Sequence, residues 1–177
     1  MTVVGIDPSK LTGFAVVDSA TFPPAVRHFT TLAVADTWEG GPSSARLLHR
    51  KAVELAILHG DALIAIEMPF GNRTGNLGSY GAQMLLVGGL LALLTDSGYA
   101  HVRVTPQEAK LALTGDLYAK KAAVVTAALA LPGATLVGAH LKLEREAMAD
   151  AVAIALAGAR RAERDARKRR VGDEVPV

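Results

Sequence analysis

The chain has 177 residues, which is the length of about one domain, and half of them are hydrophobic. It contains no cysteine, which excludes a disulfide framework and a thiolate metal site. Any metal would be held by carboxylates, with histidine as a possible extra ligand, so Mg²⁺ or Mn²⁺ is favoured over structural zinc. The most apolar run, residues 82–94, is too short to span a bilayer of about 30 Å. The N-terminus leads into a strand without a cleavable signal, so we expect a cytoplasmic protein with no membrane partner.

The positive charge of the chain is concentrated near its C-terminus. Residues 160–170 carry seven Lys or Arg and two acids, so this segment is +5 within a total of +2, and the remainder is −3. We expect a domain over residues 1–159 and a basic helical extension and tail over 160–177. Such a segment is typical of nucleic-acid binding, although charge runs are more often a solvated surface.

The first predicted strands form a hairpin. Residues 3–6 are wholly apolar, Asp7 follows them, and Pro8 should end the strand because it cannot donate a ladder hydrogen bond. Residues 13–17 are predicted as the return strand. A carboxylate at the tip of a buried strand needs a cation, a donor or a metal nearby, unless it caps its own turn.

A second acid follows a later strand in the same way. Residues 25–34 predict a third strand, and a helix capped by Ser43 or Ser44 should run to about residue 58. The apolar run 62–66 then ends in Glu67. This crossover predicts a strand parallel to the first, so Asp7 and Glu67 should lie at one edge of the sheet, where sites in open α/β folds occur. Glu67 could instead simply face solvent.

A glycine-rich loop is predicted over residues 70–80, followed by a long helix to about residue 96. We expect the interface part of this helix to span about residues 76–95. From residue 84 to 94 the helix is apolar on nearly every side. We therefore expect it to be buried partly against a second copy of the chain, as a homodimer. Residues 101–104 should form a further short strand.

Two helices that carry lysines follow this strand. Residues 105–108 predict a capping box at the start of a short helix that carries Lys110. Residues 118–131 predict a second helix, with Lys120 and Lys121 in its first turn. Lysines are disfavoured at helix N-termini by the helix dipole, and violations of local rules tend to mark function.

The last helix is predicted from about residue 143 into the basic tail. Between residues 147 and 159 its only charged residue is Asp150, with Glu146 one turn earlier on the same face. A lone carboxylate in a core helix is either hydrogen-bonded in a small polar pocket or part of a site.

Asp7, Glu67 and Asp150 can therefore meet at one edge of the sheet. Like charges at close range raise one another's pKa, and bound divalent cations remove the conflict. Two Mg²⁺ ions about 4 Å apart can clamp the attacking and leaving oxygens of a phosphoryl displacement. No Ser-His-Asp or Cys-His motif competes with this interpretation.

These motifs, in this order, resemble the RuvC family of Holliday-junction resolvases. The resemblance spans about residues 3–158 and rests on Gly5-Ile6-Asp7-Pro8 with Thr12-Gly13, Ile66-Glu67 with Phe70, Pro106 with Lys110 and Gly115, Lys121, and Asp150-Ala151-Val152-Ala153-Ile154-Ala155. It implies an α/β, RNase H-like fold with a five-stranded mixed sheet flanked by helices. It also implies a homodimer that makes paired, symmetric, Mg²⁺-dependent nicks in four-way DNA junctions, with two ions per site and Mn²⁺ as a possible substitute.

On the same resemblance, Asp7, Glu67 and Asp150 are catalytic metal ligands, and Phe70 lies at the point of strand exchange. Lys110 and Lys121 lie beside phosphates, with Lys121 also catalytic, and we add Arg73 and Lys120 as DNA contacts.

One position departs from the family pattern. RuvC proteins usually carry an acid or His three residues before the last Asp, where this chain has Ala147. We expect Glu146 to supply a fourth metal ligand from one residue earlier. His140, Glu144 or a water molecule are the alternatives.

Three other functions compete. The first is an endonuclease of the same fold that cuts flaps or other branched DNA without junction symmetry. The second is a junction-binding dimer without catalysis. The third, suggested by the resemblance of residues 4–13 to the phosphate loop of actin-like and sugar-kinase ATPases, would need a second domain for which the chain has no room.

Overall fold

The fold is a five-stranded sheet with helices on both faces. The computed structural model describes residues 1–34, 40–69, 77–134 and 141–173. In chain order the elements are β1 (Thr2–Asp7), β2 (Leu11–Asp18), β3 (Ala25–Ala33), α1 (Gly41–Leu58), β4 (Leu63–Glu67), α2 (Leu77–Asp96), β5 (His101–Val104), α3 (Pro106–Thr114), α4 (Lys121–Leu129) and α5 (Lys142–Asp173). Among the helices in these ranges, none has the length and apolar character needed to cross a membrane.

The strand order across the sheet is β3-β2-β1-β4-β5. The hairpin β1–β2 and the pair β2–β3 are antiparallel, whereas β1–β4 and β4–β5 are parallel. The predicted five-stranded mixed sheet is therefore confirmed. Because β1 lies at the centre, its apolar residues Val3, Val4 and Ile6 are fully buried, as a strand covered on both faces requires.

The helices cover the sheet unequally. The α5 face, covered by α3, α4 and α5, buries many alanines together with Val3, Ala15 and Ala65 from the strands. The α2 face, covered by α1 and α2, buries large side chains that include Phe14, Leu48 and Leu86. The two faces together form the core of one folded unit.

Close contact between α5 and the sheet depends on glycine. A Cβ atom on Gly5 of β1 would lie 2.6 Å from the Ala155 nitrogen, and one on Gly13 of β2 would lie 2.7 Å from the Ala147 carbonyl carbon. Only residues without a Cβ let the backbone of α5 approach β1 and β2 this closely. The helix that carries Asp150 therefore lies directly on the central strand β1 and its neighbour β2.

Three predicted boundaries are wrong. Helix α1 begins at Gly41, after Gly40 as a cap without a side-chain hydrogen bond, so neither Ser43 nor Ser44 is the cap. Pro42 favours this earlier start because its missing N–H has no intrahelical partner in the first turn. Helix α2 begins at Leu77, which agrees with the expected interface helix at about 76–95 but makes the predicted loop over residues 70–80 too long by four residues.

The third error concerns α4, which begins at Lys121 with Lys120 as its cap, not at Tyr118. A tight turn precedes it, in which the Asp116 carboxylate accepts a hydrogen bond from the Tyr118 nitrogen at 2.8 Å. The capping box of α3 is confirmed, because Thr105 and Glu108 each accept from the other's backbone nitrogen.

Helix α5 runs without interruption across residues 159 and 160, where we expect the nuclease domain to give way to the basic extension. Its basic half is tied to the body by Arg161, whose guanidinium donates to the Arg103 carbonyl at 2.8 Å and lies 3.5 Å from the Glu108 carboxylate. The basic segment is helical as far as Asp173, and the division of the chain into a domain and an extension stays a prediction.

Candidate active site

Asp7 and Glu67 lie side by side at the carboxyl edge of the sheet. They are the last residues of β1 and β4, which are adjacent parallel strands with Ile6 opposite Ile66. This placement follows from the crossover connection, which makes the two strands run in the same direction. The expectation that the two acids are neighbours is confirmed.

Within the described residues, the turn after β1 is closed by Ser9 and Thr12. The Ser9 hydroxyl donates to the Leu11 carbonyl at 2.9 Å, and the Thr12 hydroxyl donates to the Ser9 carbonyl at 2.8 Å. The Asp7 carboxylate is thus available to the site, which argues against its role as the cap of this turn.

Asp150 reaches the same edge from α5. The close contact of α5 with Gly5 and Gly13 places its third turn beside the tips of β1 and β4. Asp150 is partly buried, with 22% of its side chain exposed. Its charge acts on the pKa of both Asp7 and Glu67, so the structure brings the three carboxylates into one electrostatic cluster.

The cluster holds its protons more tightly than isolated acids do. Burial, and then the charge of Asp150, raises the pKa of Asp7 to about 7. Burial, followed by Asp7 and Asp150, raises the pKa of Glu67 to about 8. Burial also raises the pKa of Asp150 above its usual range. The three acids therefore need added positive charge before all of them ionise at neutral pH.

Lys121 supplies part of that positive charge. It is the first residue of α4, and its ammonium donates a hydrogen bond to the Asp150 carboxylate. It also lowers the pKa of Asp7 and Glu67, as does Lys110 for Glu67. In the described part of the chain no three acidic or histidine side chains form a ready-made metal cluster. The carboxylates converge around a lysine instead.

Three hollows meet at Lys121. One of about 560 Å³ is lined by Asp7, Glu146 and Asp150, together with Gln83 of α2. One of about 250 Å³ holds Glu67 and Lys110. One of about 680 Å³ lies between α4 and the start of α5. A substrate that reaches the acids can therefore extend on more than one side of Lys121.

The chemistry of the carboxylate cluster suits a divalent cation. Its donors are hard oxygen atoms, and their raised pKa values measure the negative charge that a cation would neutralise. Glu146 adds a fourth carboxylate to the hollow of Asp7 and Asp150, and its charge raises the pKa of Asp150.

Sequence comparison identifies the family. No family model matches the chain. The crossover junction endodeoxyribonuclease RuvC of Alkalilimnicola ehrlichii is 30% identical to it over 174 residues, which cover 96% of this chain and 98% of that protein. The chain belongs to the RuvC family. The resemblance first seen in its motifs is thereby confirmed over 96% of the chain.

Solved structures agree with this membership. Thermus thermophilus RuvC aligns with a TM-score of 0.68 at 23% identity, covering 93% of this chain and 97% of that one. The same protein in complex with a Holliday junction substrate gives 0.69 at 25%, covering 93% and 96%. The yeast mitochondrial Holliday junction resolvase Ydc2 gives 0.59 at 16%, covering 89% and 78%. The RNase H-like α/β fold predicted for this RuvC-family chain is confirmed.

The predicted DNA contacts lie in different parts of the chain. Phe70 and Arg73 fall outside the described residues. Lys110 is half-buried on α3 beside Glu67, and Lys120 is exposed as the cap of α4. Lys121 pairs with Asp150. Among the three described lysines, Lys110 and Lys121 lie at the carboxylate cluster, and Lys120 lines a hollow with Glu146.

Glu146 and its alternatives are distinguished by their partners. Its carboxylate lies 3.8 Å from the Lys142 ammonium and is partly buried. The Glu144 carboxylate accepts a hydrogen bond from the Leu141 nitrogen at 3.2 Å, which occupies it at the start of α5. His140 lies outside the described residues. Glu146 is thus the acid before Asp150 that faces the hollow of the site.

Sequence reasoning missed three residues of this RuvC-family site. The Gln83 amide donates to the Pro8 carbonyl at 3.1 Å and ties α2 to the turn after Asp7. The feature of the sequence that could have indicated Gln83 is its position as a single amide at the start of the apolar run 82–94. Lys142 and Arg145 line the hollow of about 680 Å³ with Lys121. Their signal was two cations in the first turns of a helix, as at Lys120 and Lys121.

Proposed function

We propose that this chain is an endodeoxyribonuclease that resolves four-way DNA junctions by paired, symmetric nicks. The observation that carries the proposal is the convergence of Asp7, Glu67 and Asp150 at the carboxyl edge of the sheet, with raised pKa values. It occurs in a member of a family whose curated relative is named a crossover junction endodeoxyribonuclease. A structural neighbour of the same family is described in complex with a Holliday junction substrate.

Asp7, Glu67, Asp150 and Glu146 would hold two Mg²⁺ ions, with Mn²⁺ as a substitute. When bound, these ions activate water and stabilise the leaving oxygen of the cut phosphodiester. Ala147 cannot bind metal, so Glu146 takes the place of the acid that the family usually carries. The pairing of Glu146 with Lys142 at 3.8 Å is loose enough to be exchanged for a stronger cation.

Lys121 changes partner in this proposal. Without metal its ammonium pairs with Asp150 and offsets part of the charge of the cluster. Once the acids are neutralised, this ammonium is released to the phosphate of the DNA strand. Lys110, half-buried beside Glu67, would contact the same strand from α3. Phe70 would stack on a base at the crossover, with Arg73 and Lys120 on the backbone nearby.

Paired nicks require two active sites. We propose a homodimer formed through α2, because Met84 and Leu85 are each 37% exposed on a helix whose opposite side is fully buried by Leu86, Leu90 and Leu94. A second copy would cover these side chains and place its own carboxylate cluster across the junction.

The decisive experiment is the incubation of the protein with a labelled, mobile four-way junction, with and without Mg²⁺. We expect two nicks of the same polarity, in opposite strands, only when the metal is present. A flap substrate is tested in parallel. Equal cutting of flaps, or unpaired nicks in junctions, would indicate a general branched-DNA endonuclease instead. Binding without any cutting in Mg²⁺ or Mn²⁺ would indicate a junction-binding dimer without catalysis.

A further inference from the structure

A concave basic surface lies beside the carboxylate cluster, between α4 and the first turns of α5. This basic trough has a volume of about 680 Å³ and is lined by Lys120, Lys121, Ala122, Val125, Thr126, Lys142, Arg145 and Glu146. It shares Lys121 with the two hollows that hold Asp7 and Glu67. It also shares Glu146 with the hollow of Asp7, so the trough is continuous with the carboxylates at these two residues.

The charge of the basic trough is strongly positive. Four cations face one carboxylate, Glu146, which lies 3.8 Å from Lys142. Like charges at this density repel one another, and the dipoles of α4 and α5 disfavour lysine and arginine in their first turns. Folding stability thus does not account for the cluster. A polyanion laid in the trough would reverse both penalties.

The trough is also lined by apolar side chains. Ala122 and Val125 contribute carbon surface to it, together with the small side chain of Thr126. A strand of DNA presents the matching pattern, because its phosphates alternate with deoxyribose rings that have carbon surfaces. A purely solvated lysine face would not need a concave surface that includes apolar side chains.

We propose that the basic trough binds the backbone of the strand being cut, next to the phosphate held at the carboxylates, with Lys142 and Arg145 as its outer phosphate contacts. This inference rests on the proposed nuclease function, because the direction of the strand is set by the position of the cut. Successive phosphates in one strand are separated by about 3.4 Å along the helix axis. The trough would therefore hold the phosphates within a few nucleotides of the cut.

The test compares two double variants of the full-length protein. Lys142→Gln with Arg145→Gln removes two charges from the trough. Arg27→Gln with Arg50→Gln removes two charges from β3 and α1, away from the carboxyl edge. Junction binding is measured without metal over a series of salt concentrations. The trough variant should flatten the log–log salt dependence by about 1.4 to 1.8, since each phosphate contact contributes about 0.7 to 0.9.

The control variant should retain the wild-type salt dependence, and both variants should melt within a few degrees of wild type because the substituted side chains are exposed. An equal change of slope in the two double variants would overturn the proposal by showing only a general charge effect. An unchanged slope in the trough variant would overturn it directly. Because these measurements need no cutting, they stand even if the nuclease proposal fails.

A second measurement locates the contact. Single neutral methylphosphonates replace the phosphates on each side of the cut, one per junction. Wild-type protein should lose about five- to tenfold in affinity at one or two positions on one side only. The trough variant should lose nothing further at those positions. Independent, additive losses would show that Lys142 and Arg145 do not touch these phosphates.

Discussion

The two faces of the sheet are packed in different ways. On the α5 face, glycines in β1 and β2 let a helix backbone lie directly on the strands. On the α2 face, Phe14, Leu48 and Leu86 separate helices from strands with large side chains. Large side chains bury more apolar area, so the α2 face contributes more to stability, and its exposed residues carry the proposed dimer. On the α5 face, small residues replace large side chains, and this brings Asp150 close to the ends of the strands.

The largest expected effect is the loss of cutting on the α5 face. Asp7→Asn should lower junction cleavage by at least about 100-fold while junction binding persists, because charge stabilisation at the reacting phosphate is removed and other phosphate contacts remain. Asp18→Asn is the matched control, since Asp18 ends β2 at the opposite edge of the sheet and pairs with Arg27. Single-turnover cleavage and gel-shift binding measure both. A rate near wild type would remove Asp7 from the metal site.

On the α2 face, the expected effect is on assembly. Met84→Lys should convert the proposed dimer to a monomer and replace paired nicks by single ones, because a charge would be buried at the interface. Leu111→Lys is the control on α3, where Leu111 is 41% exposed. Light scattering measures the mass, and melting shows that the variant is folded. A Met84→Lys protein that stays dimeric would contradict the interface.

Two glycine-to-alanine substitutions test the close packing of α5 on the sheet, one at the α5 face and one at the α2 face. Gly5→Ala should destabilise the protein by about 1–3 kcal/mol or more, because its new methyl group would lie 2.9 Å from the Ala155 Cβ. Gly88→Ala in α2 meets nothing within 4 Å of its own chain, so in the monomeric Met84→Lys background it should be neutral or stabilising by up to ~1 kcal/mol. Urea denaturation measures both. Equal effects would mean that α5 can shift away from β1 at little cost.

The carboxylate cluster should make the metal-free protein less stable as pH rises from about 5 to 9. In the folded protein the pKa values of Asp7 and Glu67 are about 7 and about 8, above the ordinary values of 3.8 and 4.5. Over that interval the folded state binds more protons than the unfolded state, so the free energy of unfolding falls with pH. Each pH unit per group is worth about 1.4 kcal/mol at most, which gives a loss of a few kcal/mol for the coupled pair.

This pH dependence is measured by urea denaturation in EDTA at pH 5, 7 and 9. The double variant Asp7→Asn with Glu67→Gln should be nearly insensitive to pH over the same range, and Mg²⁺ should restore stability to the wild type at pH 9. Equal stability of the metal-free wild type at pH 5 and pH 9 would show that the pKa values of Asp7 and Glu67 are not raised in the folded protein.

The smallest effect is expected in the basic half of α5. Replacement of Arg167, Lys168, Arg169 and Arg170 by Gln should flatten the salt dependence of DNA binding by about 0.9 for each phosphate that these side chains neutralise in the wild type. Arg161→Gln should instead lower the melting temperature, because Arg161 binds the Arg103 carbonyl and Glu108. A fourfold variant with an unchanged salt slope would show that these four side chains are merely solvated.

The site was predictable where an anomaly was local. Asp7 and Glu67 each end an apolar run, and Asp150 is a lone charge in an apolar helix, so the sequence indicated all three acids and their common edge. The capping box of α3 was equally local, since both partners lie within four residues. Such patterns carry their physical reason within a few residues of each other.

What escaped prediction depends on contacts between distant residues. Lys121 and Asp150 are 29 positions apart, and nothing near either one shows that they pair. The trough is formed by two helix starts that become neighbours only when both lie against the sheet. The start of α1 was misjudged for a different reason, because two serines offered a stronger local cap than Gly40, and Pro42 decided the start instead.

The continuity of α5 fixes the distance between the carboxylate cluster and the basic end of the helix. Asp150 and Arg170 belong to one uninterrupted helix, so they are separated by roughly 30 Å, at 1.5 Å per residue. One turn of B-form DNA is about 34–36 Å long. If the basic half of α5 binds the duplex whose strand is cut, a junction arm much shorter than one helical turn would reach the carboxylates without reaching the end of the helix. The affinity for a junction would then depend on the length of its arms, because the carboxylates and the basic half of α5 are held at a fixed separation by one helix.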